Sequence, residues 1–283
     1  MELNQLFRAA GAAAWGQLAY QDLKACMTGA AQGRAAELLG VEPQGVFVAA
    51  FPYYADEEGG NLSQYARGRD YHAAISRRLQ AVGDALQKEA GGKACFRVLT
   101  DNSPLPERQA ACLAGLGLMG RNGMVILPPY GSWIFLGTIL TDQPLETDRP
   151  PAPNCCRCNA CVEACPTGAL KYWDFTVCLS YLTQKKGELS QYEAAAVAHH
   201  DLVWGCDNCQ IVCPYNREAV ETALPEFRQD LLRRLNQEDL AGLSNRTFRE
   251  KYGDRSFAWR GPKPLERNLE LQERKKVRKK KEE

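Results

Sequence analysis

Two groups of closely spaced cysteines in the second half of the chain constrain its fold more than any other feature. Residues 155–166, CCRCNACVEACP, contain C-x2-C-x2-C-x3-C-P, and residues 204–216, WGCDNCQIVCPYN, contain C-x2-C-x3-C-P. The first is the bacterial ferredoxin spacing, in which three cysteines bind one iron–sulfur cluster and the cysteine before proline binds another. Zinc sites usually combine two C-x2-C pairs, which fits these triplets poorly. The spacing therefore predicts a ferredoxin-like domain with two [4Fe–4S] clusters.

The cluster ligands can be assigned because the two motifs form a pseudo-repeat, in which Cys165 and Cys213 both precede proline. Each of these two cysteines is expected to bind the cluster of the other motif. The second cluster then lacks one ligand, because Val203 stands where the first motif has Cys155, and Cys178 between the motifs is the natural candidate. The predicted ligands are Cys155, Cys158, Cys161 and Cys213 for cluster one, and Cys165, Cys178, Cys206 and Cys209 for cluster two.

Other cysteines and two histidines have no partner in this pseudo-repeat. Cys156 is interpreted as a spare packing thiol, although it neighbours a predicted ligand. His199 and His200 are expected at a helix end or on the surface rather than at a metal. Three cysteines in helical or strand patterns are expected to be small buried hydrophobic side chains: Cys26, Cys95 and Cys112.

The composition is that of an ordinary globular protein, with 45% hydrophobic residues and a net charge of +1 over 283 residues. Twelve cysteines without an export signal predict a reducing, cytoplasmic environment, and no apolar run is long enough to predict a membrane span. From Leu265 onwards, eight basic residues face five acidic ones. This tail is expected either to bind RNA phosphates or a membrane surface, or to be a solvated terminal helix.

The order of apolar and polar segments predicts an α+β protein. An N-terminal α/β sandwich is followed by the ferredoxin-like double-cluster domain and a helical basic tail. Two helices are expected within residues 1–40 and one long amphipathic helix over 63–92. The expected strands are 45–54, 94–100, 123–128 and 132–140. The expected domains are 1–148, 149–222 and 223–283.

Six segments resemble, in order and spacing, the motifs of epoxyqueuosine reductases. They are SQYARGRDYH (63–72), DNSPLPER (101–108), AGLGLMGRNGMVI (114–126), GSWIFLGTILTD (131–142), CLSYLT (178–183) and GCDNCQIVCPYN (205–216). The resemblance covers about residues 45–216. It implies an oxidoreductase that uses cobalamin and two [4Fe–4S] clusters to reduce epoxyqueuosine to queuosine in tRNA. A tRNA anticodon stem-loop, an unidentified electron donor and a monomeric, cytoplasmic protein without membrane contacts are the expected setting.

The resemblance also implies roles for particular residues. It places the proton donor at Asp101, which is expected to be a neutral carboxylic acid in an apolar pocket; the alternative is that Asp101 only caps the following turn. Contacts with cobalamin are implied for Ser63, Val125 and Leu136, partly through the backbone. The glycines of segments 114–123 and 130–137 are expected to bring backbone close to the corrin ring, or else to form turns.

A basic and aromatic cluster is expected on one helix, where it orients RNA or cobalamin. Alternatively, its Arg and Asp form a structural ion pair. The cluster consists of Tyr65, Arg69, Asp70, Tyr71 and His72.

Three departures from the family pattern leave other functions open. Residues before about 45 match the family weakly, and that segment is shorter than in the family. Asn102 and Ser103 stand where the family more often has a small residue and then alanine. Many members continue past a segment like RGPKPLERN (260–268) into helical repeats, whereas this chain ends fifteen residues later and resembles a short member. One alternative is a related corrinoid iron–sulfur reductase acting on a small molecule. The other is an electron-transfer protein with a docking domain.

Overall fold

The computed structural model describes residues 2–147 and 155–282, with side chains described as far as Lys275. The strands of this described part are β1 (Ala14–Ala19), β2 (Gly45–Pro52), β3 (Phe96–Leu99), β4 (Leu118–Met119), β5 (Val125–Ile126) and β6 (Ile134–Thr141). The first eight α-helices are α1 (Leu3–Ala9), α2 (Tyr20–Lys24), α3 (Gly29–Leu39), α4 (Gln64–Arg67), α5 (Tyr71–Glu89), α6 (Glu107–Leu113), α7 (Ala160–Glu163) and α8 (Ala169–Tyr172). The others are α9 (Leu179–Gln184), α10 (Gln191–Ala198), α11 (Asn208–Ile211), α12 (Pro225–Arg228), α13 (Gln237–Leu240), α14 (Asn245–Tyr252) and α15 (Lys263–Glu282). Short 3₁₀ helices span Phe175–Val177, Pro214–Asn216 and Ala258–Arg260.

The chain divides into two compact units that are each discontinuous in sequence. The first comprises Met1–Tyr53, Tyr71–Arg157 and Glu218–Leu224, and the second comprises Tyr54–Asp70, Cys158–Arg217 and Pro225–Glu283. The boundaries expected from the sequence differ from this division, because 54–70 and the C-terminal segment both join the cysteine region. The expected boundary at 148/149 lies outside the described residues.

A four-stranded sheet with the order β1-β2-β6-β3 organises the first unit, and each neighbouring pair is antiparallel. All eight residues of β2 are buried, as expected for a central strand that is covered on both faces. Val46 and Val48 join the core formed with α2, α3 and α6, whereas Phe47 on the opposite face packs against Phe7 of α1. The continuous apolar run of residues 45–54 is therefore a buried strand, as predicted.

Residues 1–40 were expected to form two helices, which is wrong because strand β1 lies between α1 and the next helices. Strand β1 pairs with β2 from Ala14↔Ala50 to Ala19↔Gly45. Gly16 allows this strand to pack closely, since a Cβ there would lie 2.8 Å from the Ala114 carbonyl oxygen. Strand β1 is stabilised by its pairing with β2, which lies further along the chain. The local sequence of 14–19 therefore did not indicate a strand.

The single helix expected over 63–92 is also wrong, because α4 ends at Arg67 and α5 begins at Tyr71. Between them, Gly68 has an extended backbone. A Cβ at Gly68 would lie 2.8 Å from the carbonyl oxygen of Glu226. The backbone at Gly68 packs against the segment that contains Glu226. This contact interrupts the helix that the amphipathic pattern predicts.

The second unit has its own core, which explains why its three segments belong together. Leu62 forms a parallel bridge with Trp204, and both are fully buried with side chains of α13 to α15. Asn268 of α15 donates hydrogen bonds to the carbonyl oxygens of Thr183 and Val203, both at 2.8 Å. The basic tail belongs to α15, but its side chains from residue 276 lie outside the described residues. No helix in the described part has the length and apolar character that a membrane span requires.

Candidate functional site

Asp101 lies in the first unit, on a loop between β3 and α6. Its φ of 56° is in the left-handed region, which asparagine and aspartate tolerate better than most residues. The loop is held at its start by the Asp101 backbone N–H, which donates to Glu107 Oε1 at 3.0 Å. Further along, the Leu105 N–H donates to the Ser103 hydroxyl oxygen at 3.2 Å. Ser103 therefore supplies the side-chain hydrogen bond within this turn.

The Asp101 carboxylate accepts hydrogen bonds from the first turn of α5. The Tyr71 hydroxyl donates to Asp101 Oδ2, and His72 Nε2 lies 3.0 Å from the same oxygen. The hydrogen bond from His72 is the main cause that lowers the pKa of Asp101, with Tyr71 and Arg108 contributing, while partial burial opposes them. The Asp101 side chain is 57% exposed. The expected neutral acid in an apolar pocket is therefore not seen, because these donors stabilise the carboxylate.

Stacked aromatic rings fix the position of the groups that bind Asp101. The Tyr71 ring lies on Phe135 of β6 with centroids 4.3 Å apart and planes 9° apart. The His72 ring also stacks on Tyr71, with centroids 4.0 Å apart, and Tyr53 stacks on Phe135 at 4.2 Å. Offset stacking of this kind adds to the energy of burial and limits rotation of the rings. The sequence predicts a functional motif that contains Tyr71 and His72. It does not predict that Phe135 and Tyr53 stack beside them.

Glu107, the first residue of α6, is the second ionisable group of this site and was not predicted. Burial, and then the negative charge of Asp101, raise its pKa to about 8. Glu107 therefore keeps its proton at neutral pH while Asp101 is ionised. Two carboxyl groups whose environments separate their pKa values in this way are typical of acid–base sites. The motif PER at 106–108 was the only local signal.

The structure brings together cysteines from both motifs of the second unit. Burial is the largest cause that raises the pKa of Cys161, followed by the charges of Cys213 and Cys158. Burial likewise raises the pKa of Cys206 to about 12, with smaller contributions that include Cys178 and Cys165. The thiols that interact are thus Cys161 with Cys158 and Cys213, and Cys206 with Cys178 and Cys165.

The donor set suits an iron–sulfur cluster better than a single ion. Among the described residues, no three His, Cys, Asp or Glu side chains converge closely enough to hold one metal ion. A cuboidal cluster is bound differently, because each thiolate binds a separate iron atom and the ligands are farther apart. Of the remaining predicted ligands, Cys155 belongs to the first unit and Cys209 lies on α11 of the second. Assignment of individual cysteines to the two clusters stays a prediction.

The residues implied in cobalamin contacts differ in what they can offer. Ser63 in the second unit is fully buried, and its hydroxyl has no hydrogen-bond partner within the described part of the chain. In the first unit, Leu136 of β6 is half-buried, whereas Val125 of β5 is packed in the core and can contact a ligand only through its main chain. The Ser63 hydroxyl therefore keeps an unsatisfied hydrogen-bonding group, and part of the Leu136 side chain is accessible.

Two of the glycines implied near a corrin ring, Gly117 and Gly137, have close neighbours in the protein itself. A Cβ at Gly117 would lie 2.5 Å from the Ile126 carbonyl oxygen, and one at Gly137 would lie 2.5 Å from Leu79 of α5. These positions therefore need glycine because the protein itself packs there. The turn alternative applies to Gly123, which has a φ of +76°.

The basic and aromatic cluster expected on one helix is divided. Tyr65 lies on α4 and Tyr71 on α5, with Arg69 and Asp70 between the two helices. Arg69 pairs with Asp230 at 2.8 Å and also with Asp254. Arg69 thus forms ion pairs, although its partners are not the adjacent Asp70 that was considered.

The remaining cysteines and histidines also differ in part from expectation. Cys156 and Cys26 are exposed rather than packed, whereas Cys95 and Cys112 are half-buried. His199 follows α10 and is exposed, with Nδ1 bonded to the Ala195 carbonyl oxygen at 2.7 Å. His200 is half-buried and contacts Cys206.

Comparisons with known proteins agree with an iron–sulfur domain in the cysteine region. A family described as "4Fe-4S double cluster binding domain" matches residues 154–216, and one described as "Epoxyqueuosine reductase QueG, DUF1730" matches residues 35–102. The chain is 36% identical over 246 residues to an epoxyqueuosine reductase of Listeria monocytogenes. That alignment covers 82% of this chain and 64% of the relative, so the chain spans less than two thirds of that relative's length.

Two solved structures have the same fold over most of their length. One is the epoxyqueuosine reductase of Bacillus subtilis, described with its catalytic aspartate loop swung out of the active site. It has a TM-score of 0.79 and 28% identity, and the match covers 95% of this chain and 79% of that one. The other is an epoxyqueuosine reductase with an epoxyqueuosine-modified tRNA-Tyr stem loop. It has a TM-score of 0.78 and 27% identity, with the same coverage of both chains.

Proposed function

Because this chain belongs to the epoxyqueuosine reductase family, we propose that it reduces epoxyqueuosine to queuosine in tRNA. The substrate would be the anticodon stem-loop, in keeping with the solved relative that holds an epoxyqueuosine-modified stem loop. We include in this proposal a monomeric, cytoplasmic protein that receives electrons from a separate donor. The observation that carries the proposal is the Asp101 carboxylate, which is held by Tyr71 and His72 on a loop attached to Glu107.

The reaction requires electrons and protons in equal number. Conversion of the epoxide to an alkene consumes two electrons and two protons and releases the oxygen as water. The two [4Fe–4S] clusters, held by the eight predicted cysteines, would supply the electrons one at a time. Cobalamin, held through residues that include Ser63, Leu136 and the main chain of Val125, would supply a strongly reducing cobalt centre.

The protein's own residues would manage the protons. In this structure Asp101 is ionised, so it must take up a proton before it can donate one to the leaving oxygen. Glu107 keeps its proton to about pH 8 and accepts the hydrogen bond of the Asp101 N–H. We propose that Asp101, whose side chain is exposed, takes up its proton from solvent and delivers it, while Glu107 holds the Asp101 loop through the backbone N–H. Tyr71 and His72 would hold the Asp101 carboxylate in position between turnovers.

The test is anaerobic reconstitution of the full chain with iron, sulfide and cobalamin, followed by incubation with an epoxyqueuosine-containing anticodon stem-loop and a reductant. Mass spectrometry should show loss of one oxygen atom from the modified base. Asp101→Asn should bind both cofactors and show no conversion. A wild-type protein that carries both clusters but neither binds cobalamin nor converts the stem-loop would contradict the proposal.

A further inference from the structure

The sequence suggests no role for His200 at a cluster. In the structure its side chain lies beside Cys206, a predicted cluster ligand. His200 follows α10, and its Nδ1 accepts a hydrogen bond from the Leu202 backbone N–H at 3.1 Å. A backbone N–H can only donate, so Nδ1 must carry a lone pair. In the neutral imidazole the proton is then on Nε2. The fold therefore determines which ring nitrogen of His200 is a donor.

The Nε2–H has two possible acceptors, and one of them is a predicted ligand of cluster two. His200 Nε2 lies 3.7 Å from Cys206 Sγ and 3.3 Å from Asn208 Oδ1, both within hydrogen-bonding range for these atoms. Cys206 also accepts a hydrogen bond from the Asn208 backbone N–H. The sulfur thus lies between one side-chain and one main-chain donor.

We propose that His200 donates an N–H···S hydrogen bond to Cys206 in the loaded protein and thereby raises the reduction potential of cluster two. This inference rests on the proposed function insofar as Cys206 must be a cluster ligand. A hydrogen bond to a ligand sulfur stabilises negative charge on the cluster. Reduction adds one negative charge, so the reduced state gains more from the bond and the potential becomes more positive.

The surroundings strengthen this effect. Cys206 and His200 are both half-buried, so water screens the bond less than it would at an exposed site. A second side-chain donor serves the same cluster, because Thr167 Oγ1 lies 3.9 Å from Cys165 Sγ. With a thiolate at Cys165, only the hydroxyl can donate. His200 and Thr167 therefore act on the cluster assigned to Cys165 and Cys206.

The experiment is an anaerobic redox titration of the reconstituted full chain, followed by electron paramagnetic resonance. His200→Leu should shift one of the two midpoint potentials to a more negative value and leave the other unchanged. His200→Gln keeps an N–H donor near the position of Nε2 and should restore most of the shift. The matched control His199→Gln, at the adjacent exposed histidine, should change neither potential.

A second measurement needs no variant of His200. The chain has three histidines, so protein labelled with ¹⁵N-histidine should show a nitrogen coupling to a reduced cluster in pulsed resonance spectra, and His199→Gln should retain it. Absence of this coupling, or a His200→Leu protein with both clusters and unchanged potentials, would overturn the inference alone. A wild-type protein that takes up no cluster would overturn the proposed function as well.

Discussion

Replacement of Glu107 by glutamine should stabilise the protein increasingly as the pH rises between the two pKa values of this residue, because it removes a carboxyl group that folding forces to stay protonated. The pKa of Glu107 is about 8 in the folded chain, against an ordinary value of 4.5. Between these values the folded state binds a proton that the unfolded state has released. The free energy of unfolding must therefore fall as pH rises through this window.

The size of the effect follows from the two pKa values. Each pH step of one between them costs about 1.4 kcal/mol. Because each pKa lies near one end of the range, where the group is only partly titrated, the penalty grows by about 3.5 kcal/mol from pH 5 to pH 8. Glutamine mimics the protonated acid, and its side-chain oxygen can still accept the hydrogen bond from the Asp101 N–H. The variant should lack this pH-dependent loss. Asp101, with its lowered pKa, is ionised in both states over this range and contributes little to the slope.

The assay is urea unfolding at several pH values between 5 and 8, comparing wild type, Glu107→Gln and Glu37→Gln. Glu37 on α3 is exposed, so its variant controls for the loss of one carboxylate. The difference in unfolding free energy between Glu107→Gln and wild type should widen with pH, while the Glu37→Gln difference stays flat. Parallel pH dependence in wild type and Glu107→Gln would refute the assignment of a high pKa to this residue.

Three further substitutions test the second unit. Cys178→Ser should lower the iron content of the reconstituted protein by about half, whereas Cys156→Ser should leave it unchanged; equal iron in both variants would contradict the ligand assignment. Gly205→Ala should lower the free energy of unfolding by at least about 2 kcal/mol, because φ is +76° and the new Cβ would lie 2.1 Å from a buried serine hydroxyl. Gly33→Ala, in helix α3 with no atom within 4 Å of its Cβ, should instead stabilise by about 1 kcal/mol, and thermal denaturation distinguishes the two. Asn268→Ala should cost about 3 kcal/mol in a urea titration, since two buried carbonyl groups lose their donor; an unchanged midpoint would show that they find another partner.

Features encoded by local spacing could be predicted from the sequence. The cysteine motifs indicated an iron–sulfur domain because each motif places at least three cysteines at short, regular spacing, and the double-cluster family match agrees. The buried run of residues 45–54 indicated strand β2, which is apolar on both faces. Strand β1 was missed because its pairing with β2, and its contact with Ala114, join residues far apart in sequence.

The environment of Asp101 could not be predicted for the same reason. Its motif identified the residue, but its charge state depends on Tyr71 and His72, about thirty residues earlier. The position of Tyr71 depends in turn on Phe135 of β6. A family resemblance can indicate which residue is the acid. The pKa of that acid is determined by the side chains that the fold places beside it.

Ionisation of Asp101 in this structure has a consequence for how the site could deliver protons. A carboxylate that is exposed and bound by two donors must exchange those hydrogen bonds for a proton before it can act as an acid. The loop that carries Asp101 is attached at its start to Glu107, a group that is protonated up to about pH 8. Ionisation of Glu107 would therefore act on this loop in two opposite ways, because a charged Glu107 repels the Asp101 carboxylate while it accepts the Asp101 N–H more strongly.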